Sequence, residues 1–311
     1  MIHIIGQMEK LIEKANILIE ALPYIRNFYG KTFVIKYGGA AQIEDELKNS
    51  FAQDIVLLSF IGIRPVIVHG GGPKISATMK MMGKEPAFVQ GQRITDKETM
   101  DIVEMVLGGL INKEIVALIN RHGGKAVGLS GKDGGLIKAK KKVVRKKSET
   151  GQEELIDIGL VGEVEYVAPD ILKALESNGF IPVVSPIGAG GAGEAYNINA
   201  DYVASAIASA LQAEKLILLT DVPGIKDSNE NIVSSVDKKG IGNMIDKAVI
   251  SGGMLPKVQA CLHALEAGVK KIHIIDGRVP HCLLLEIFTK EGIGTEIVSR
   301  GVPKKSHDFL G

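Results

Sequence analysis

The sequence predicts an α/β fold, a mainly parallel sheet with helices on both of its faces. Three observations lead there. Short apolar runs of strand length alternate with longer helix-period patterns along most of the 311 residues, and parallel strands need such crossovers. Hydrophobic residues make up 45% and charged residues 23% of the chain, ordinary globular usage that suits neither a disordered nor a fibrous protein. Glycine departs from the norm, at 37 of 311 positions against a usual ~7%, and its clusters fall where apolar runs end.

Taken in order, residues 4–22 place Ile4, Ile5, Met8, Leu11, Ile12, Ala15, Leu18 and Leu22 on one helical stripe, with Glu9, Glu13 and Glu20 among the polar positions. Pro23 is expected to end that helix. It precedes the first strand, so residues 1–30 read as an appendage. Buried strands are expected at Phe33–Lys36, Pro65–Val68, Ala126–Leu129, Ile181–Ser185, Lys215–Thr220 and Lys271–Ile275. Helices are expected at Glu44–Leu58, Lys97–Asn120, Pro169–Asn178, Ala200–Leu211 and Lys257–Ala267. Seven Lys or Arg residues from Lys138 to Lys147 lead into an acidic turn at Glu149–Glu154 and a further apolar run. This reads as a hairpin with a solvated tip rather than a nucleic-acid patch, because no aromatic interleaves the charges. A soft boundary near Gly188–Tyr196 separates two lobes, 31–190 and 191–311.

Charge and cysteine usage narrow the function classes. Lys plus Arg number 37 against 36 Asp plus Glu, without the basic surplus that gripping nucleic acid demands. Cys261 and Cys282 are the two cysteines, too few for a disulfide framework or a Cys-rich zinc site. The N-terminus lacks the basic start and apolar block of a signal peptide. The longest uncharged stretch, Ser177–Gly193, is broken by prolines and glycines and is no membrane helix. The expected compartment is the cytoplasm.

Ligands of a parallel sheet sit beyond the carboxyl ends of its strands. There, Phe33-Val34-Ile35-Lys36 runs into Gly38-Gly39, and Val66-Ile67-Val68-His69 runs into Gly70-Gly71-Gly72-Pro73. Glycines let backbone N–H groups approach an oxyanion, and a helix N-terminus adds favourable partial charge. Lys36 ends one apolar strand, and Lys257 opens a helix after Gly252-Gly253. Each alone reads as a surface lysine; together they suggest cations on a transferring phosphoryl group. Asn197-Ile198-Asn199-Ala200-Asp201 sets three polar residues at alternate positions before a small-residue helix. Capping accounts for one of them; Asp201 is placed to orient the two lysines. Arg93 offers a two-point grip on a carboxylate, or an ordinary surface salt bridge. Gly188 to Gly193 satisfies G-x-G-x-x-G but opens no helix, and no G-x-x-x-x-G-K-[ST] loop occurs. His69 reads as a general base or as a satisfied structural histidine.

These segments, together with Gly91-Gln92-Arg93, Leu219-Thr220-Asp221-Val222-Pro223-Gly224 and Gly253-Met254-Leu255-Pro256-Lys257, occur in the order and context of the amino acid kinase family. Within it they most resemble the N-acetylglutamate kinases. The resemblance runs from about Lys31 to Val298. It implies a three-layer α/β/α sandwich whose N-terminal lobe binds N-acetyl-L-glutamate and whose C-terminal lobe binds ATP with Mg²⁺. Lys36 and Lys257 become transition-state stabilisers and Asp201 their organiser. Gly71, Gly72, Arg93 and Asn197 become substrate contacts with Asn199 beside them. Gly38 and Gly39 contact phosphate, and Thr220, Asp221 and Gly224 lie near the nucleotide.

Glutamate 5-kinase, aspartokinase, carbamate kinase and UMP kinase share parts of this architecture. Arg93 with the Asn-x-Asn-x-Asp segment favours the acetylglutamate branch. A non-catalytic amino-acid sensor on the same fold is the alternative from another class, disfavoured by the presence of both lysines and Asp201. The N-terminal helix marks arginine-sensitive members, which are ring-like hexamers built as trimers of dimers. The resemblance then implies arginine as inhibitor, with His273 and Glu286 as contacts and the Glu291–Thr295 turn nearby; for Glu286 a solvated helix position is the other reading.

Overall fold

The chain starts as one long helix, α1 (Ile2–Phe28), in a computed structural model that describes residues 2–42, 44–147 and 153–299. The expected stop at Pro23 is corrected: the helix runs through it. Proline forfeits one N–H and crowds the preceding turn, but the residues beyond it are anchored. Tyr24 and Phe28 are buried, with Phe28 edge-on to Phe33 at 5.2 Å and Tyr24 edge-on to Phe288 at 6.2 Å. Among the described residues, Met8, Leu11, Ile12, Leu18, Ile19 and Leu22 of the earlier turns are exposed.

The chain then forms β1 (Thr32–Tyr37), a 3₁₀ turn at Gly39–Gln42, α2 (Asp45–Phe60), β2 (Arg64–His69) and α3 (Gly72–Met81). A short ribbon, β3 (Phe88–Val89) with β4 (Gln92–Arg93), leads into a composite helical stretch. One helix was expected over Lys97–Asn120; the structure has α4 (Lys97–Glu104), a π-helical stretch Met105–Ile111, and α5 (Asn112–Arg121). A π turn adds a residue and re-aims every side chain after it. Buried Asn112 is the first to benefit.

After β5 (Ala126–Ser130) comes β6 (Ile137–Lys141), then the hairpin β7 (Val144–Lys147) and β8 (Glu153–Ile156), then β9 (Gly162–Val167). The hairpin's expected tip lies outside the described residues. Its basic run is matched by acidic neighbours: Lys138 with Glu165 at 2.9 Å, Lys140 with Glu163 at 3.2 Å, Lys141 with Asp157 at 2.8 Å. The remaining elements are α6 (Asp170–Ser177), β10 (Ile181–Ser185), β11 (Ile187–Ala189), β12 (Ala195–Asn197), α7 (Ala200–Ala210), β13 (Lys215–Thr220), β14 (Ser235–Asp237), α8 (Lys238–Asp246), α9 (Met254–Glu266), β15 (Lys271–Asp276), α10 (Cys282–Phe288) and β16 (Thr295–Val298). Within the Gly188–Gly193 segment, Gly188 and Ala189 end β11 and Gly190–Gly193 lie in the turn to antiparallel β12, so it opens no helix.

The central sheet has the order β14-β16-β15-β13-β1-β2-β10-β5. β1 pairs in parallel with β2 on one side and β13 on the other, so strands from both sides of the expected boundary share one sheet. β16 runs antiparallel to β15. Alternation along β1 feeds two cores: Phe33, Ile35 and Tyr37 enter one, Val34 the other. That is the three-layer sandwich, and strands buried on both faces explain why continuous apolar runs identified them. Among the described residues no helix is long and apolar enough to cross a membrane.

Candidate active site

The carboxyl ends of β1 and β2, at the middle of the sheet, gather the predicted residues. Lys36, next to last in β1, points its Nζ at Asp201 Oδ1, 3.1 Å away. Lys257, in the first turn of α9, donates to Asp201 Oδ2 at 2.9 Å. Asp201 stands in the first turn of α7 and is 5% exposed. Burial pushes its pKa up, but the charges and hydrogen bonds of the two lysines outweigh burial and hold it below the usual range. Asp201 is therefore ionised, with one lysine against each of its oxygens. The expected capping is met by Asn199, whose side chain accepts the Asp201 N–H at 2.8 Å.

Two glycine turns flank this cluster. A Cβ on Gly38 would lie 2.8 Å from Lys36 Nζ, so glycine leaves room for the ammonium. Gly39, at φ +70°, lies against Asp221 in the turn after β13. Tyr37 stacks on Phe51 at 3.8 Å and donates its hydroxyl hydrogen to Ala41 O at 2.7 Å, fixing that turn from below. Thr220 is turned into its own loop, donating to Val222 O at 2.8 Å. A Cβ on Gly224 would lie 2.7 Å from Thr295 Oγ1, the hydroxyl that accepts the Ile225 N–H.

The second glycine turn borders a cleft of about 760 Å³ lined by Gly70, Gly71, Gly72, Arg93, Asn197 and Asn199, among others. Asp201 and the lysines stand just outside its lining, one residue beyond Ala200. Arg93 is not a surface salt bridge. It is 7% exposed, donates to Gly72 O at 3.0 Å and Ser76 Oγ at 2.8 Å, and lies 4.8 Å over the Phe88 ring. No carboxylate pairs with it among the described residues, and burial lowers its pKa. A buried, unneutralised guanidinium at a cleft is a place for an anion. Asn197 Nδ2 reaches Thr95 Oγ1 at 3.4 Å.

A model of the amino acid kinase family matches residues 31–276. The chain belongs to the amino acid kinase family. It is similar to acetylglutamate kinases: it is 61% identical over 299 residues to acetylglutamate kinase of Persephonella marina, covering 94% of this chain and 100% of that one. Among solved structures it is similar to N-acetylglutamate synthase from Neisseria gonorrhoeae complexed with coenzyme A and N-acetyl-glutamate, with TM-score 0.80 and 26% identity over 92% of this chain and 64% of that chain. The same synthase complexed with coenzyme A and L-arginine gives TM-score 0.77 and 25% identity, over 92% of this chain and 66% of that one.

Away from the cleft, this amino acid kinase holds a second polar cluster at the start of β13. His273 Nδ1 meets Glu286 Oε1 at 2.7 Å, and Lys215 Nζ meets His273 Nε2 at 2.9 Å. Glu286 Oε2 also accepts the N–H groups of Ile293 and Gly294, at 2.6 and 3.1 Å. Glu286 is 3% exposed, which corrects its reading as a solvated helix position: the carboxylate is turned inward to tie down the following loop. Burial lowers the pKa of His273 to about 4 and that of Lys215 to about 8. The neutral ring thus relays between an ammonium and a carboxylate. Lys215, which also lies 5.3 Å over the Phe28 ring of α1, was expected only as the first residue of a buried strand, and its partners come from other elements. Ser76 and Phe88, which hold Arg93, carried no sequence signal.

Proposed function

We propose that the chain transfers the γ-phosphoryl group of ATP to the γ-carboxylate of N-acetyl-L-glutamate, giving N-acetyl-L-glutamyl 5-phosphate and ADP in L-arginine biosynthesis. The observation that carries the mechanism is the single carboxylate of Asp201 holding two lysines where two glycine turns meet. A carboxylate acceptor is ionised at neutral pH and needs no base to attack phosphorus, which fits a site whose aspartate is occupied. The acceptor lies in the Gly71, Gly72, Arg93, Asn197 and Asn199 end of the cleft. ATP lies over Gly38, Gly39, Thr220, Asp221 and Gly224. Lys36 and Lys257 neutralise charge on the oxygens of the transferring group, one from the strand side and one from the helix side, and Asp201 keeps both ammoniums from swinging away.

No group of three or more His, Cys, Asp or Glu able to hold a metal occurs among the described residues. A Mg²⁺ ion would bind largely through ATP oxygens and water, as Mg²⁺ usually does beside substrate phosphates. Cys261 and Cys282 are both free and buried, in keeping with a cytoplasmic enzyme. Hydroxylamine trapping of the acyl phosphate tests the reaction. Hydroxamate is expected with N-acetyl-L-glutamate and not with glutamate or aspartate, and ADP release, which also reports on carbamate and UMP, is expected with N-acetyl-L-glutamate alone. No product with any of them would favour a sensor.

Arginine inhibition and a hexamer built as a trimer of dimers belong to the same proposal. The exposed apolar turns of α1 need a partner, and Glu286 and His273 would take a guanidinium by giving up the hydrogen bonds that hold them to each other and to the Ile293 and Gly294 amides. The likeness to a synthase complexed with L-arginine supports this. Deleting residues 1–22, which spares Tyr24 and Phe28, should give active dimers that arginine barely inhibits. A truncated protein still hexameric and fully sensitive would sink the idea.

A further inference from the structure

His69 ends β2, is wholly buried, and immediately precedes the glycine turn that borders the cleft. Its Nδ1 lies 2.9 Å from Gly70 O, and its Nε2 lies 3.3 Å from Asn112 Nδ2. The neighbours of Asn112 decide which ring nitrogen carries the proton. Asn112 Oδ1 accepts from Lys113 Nζ at 3.2 Å, while Asn112 Nδ2 faces Val183 O at 2.9 Å and Leu129 O at 3.3 Å. The amide is therefore oriented with its NH₂ toward the ring, because a flipped amide would set its oxygen against two carbonyls. Nε2 must then accept, so Nδ1 carries the hydrogen and donates it to Gly70 O. With both nitrogens engaged in the interior, His69 is not a general base.

The consequence falls on the next peptide nitrogen. Gly70 is held at both ends, its N–H donating to Tyr37 O at 2.8 Å and its carbonyl accepting from His69. A trans peptide directs the Gly71 N–H opposite to the Gly70 carbonyl. Gly71 is the N-cap of α3, so its N–H has no partner within the helix. Gly71 is also pressed from behind: a Cβ there would collide with Ile111 and lie 2.6 Å from Leu107 Cδ2. Leu107 and Ile111 belong to the π-helical stretch, and Asn112 follows it. One irregular helix thus supplies the floor of the glycine turn and the partner that sets the tautomer of His69.

We propose that His69, locked as the Nδ1–H tautomer by Asn112, is a positioning residue that pins the Gly70 carbonyl and so aims the Gly71 N–H at the acceptor carboxylate. The inference rests on the acetylglutamate kinase reading above, and the experiment separates the two. His69→Leu removes the donor; His69→Asn retains an N–H close to the place of Nδ1. With ATP and N-acetyl-L-glutamate as substrates, His69→Leu should lower kcat/KM for the acceptor on the order of tenfold while KM for ATP stays put, and His69→Asn should recover most of that loss. Ring ¹⁵N spectra of the full chain should show His69 neutral and protonated at Nδ1, and Asn112→Asp should move the proton to Nε2. A wild-type chain without transfer activity would overturn the functional reading, and this inference with it. An active wild type would refute the positioning role alone if His69→Leu matched it, if both substrates suffered equally, if His69→Asn failed to rescue, or if the spectrum showed Nε2–H. The spectrum decides even if His69→Leu does not fold.

Discussion

Two buried lysines on neighbouring parallel strands, Lys36 of β1 and Lys215 of β13, show how one sheet produces two kinds of polar cluster. Lys36 lies beside the carboxyl end of its strand and Lys215 at the amino end, where β1 pairs Phe33 with Lys215 and Lys36 with Leu218. At the carboxyl end, Lys36 and Lys257 share one carboxylate, Asp201, leaving one positive charge in excess among the described residues, and Arg93, with no acidic partner among them, lies at the adjoining cleft. At the amino end, Lys215 and Lys271 face Glu286 and Glu296 across a neutral His273, and the charges cancel. Burying an uncompensated cation is unfavourable, so a surplus retained beside a cleft indicates an anionic ligand. The balanced cluster has its charges satisfied from within the protein and ties β13, β15 and α10 together.

The sharpest way to break this contrast is to remove the surplus. Lys36→Ala or Lys257→Ala should lower kcat by on the order of 10²–10³ while changing either KM far less, because these charges act where negative charge develops. Steady-state kinetics with ATP and N-acetyl-L-glutamate check this; a change confined to KM would show a binding role instead. A smaller effect is expected at Arg93, held by Ser76 and Phe88 with no acidic partner among the described residues. Arg93→Lys keeps the charge but loses the planar fork. KM for N-acetyl-L-glutamate should rise about tenfold with KM for ATP unchanged, and equal rises would place Arg93 outside the acceptor's end of the cleft.

Much of this arrangement was legible in the sequence, for physical reasons that also mark where legibility stopped. The strand around Ile181–Ser185 matched residue for residue because a strand covered on both faces is a continuous apolar run. Lys36, Asp201 and Lys257 stood out because glycines at strand ends and polar residues at alternate positions need a reason to be there. Pro23 misled, since local propensity says nothing of the anchors Tyr24 and Phe28 beyond it. The π-helical stretch left no periodic trace, yet it brings Asn112 to His69 across 43 residues. Glu286 was open to a solvated reading beside its reading as an effector contact, because its partners, His273 and the Ile293 and Gly294 amides, come from other elements. What the sequence conceals is contact between distant segments.

The balanced cluster makes the smallest prediction, and its sign can be worked out. Burial lowers Lys215 from 10.5 to about 8, so between those values the unfolded chain keeps the proton and the native chain has lost it. Stability from this group must then rise with pH across that window, fully present above the unfolded pKa and lost as pH falls through the native one, at no more than about 1.4 kcal/mol per pH unit. Lys215→Met replaces the ammonium with an apolar side chain of similar reach beside the Phe28 ring. Urea midpoints of the two proteins, measured from pH 7.5 to 10, should therefore converge or cross in favour of the wild type as pH rises, with the methionine variant comparatively best at the lower end. Parallel curves would mean that Lys215 keeps its proton throughout, held by Glu286 through His273, and that the amino-end cluster is a true buried ion pair rather than a lysine strained by its burial.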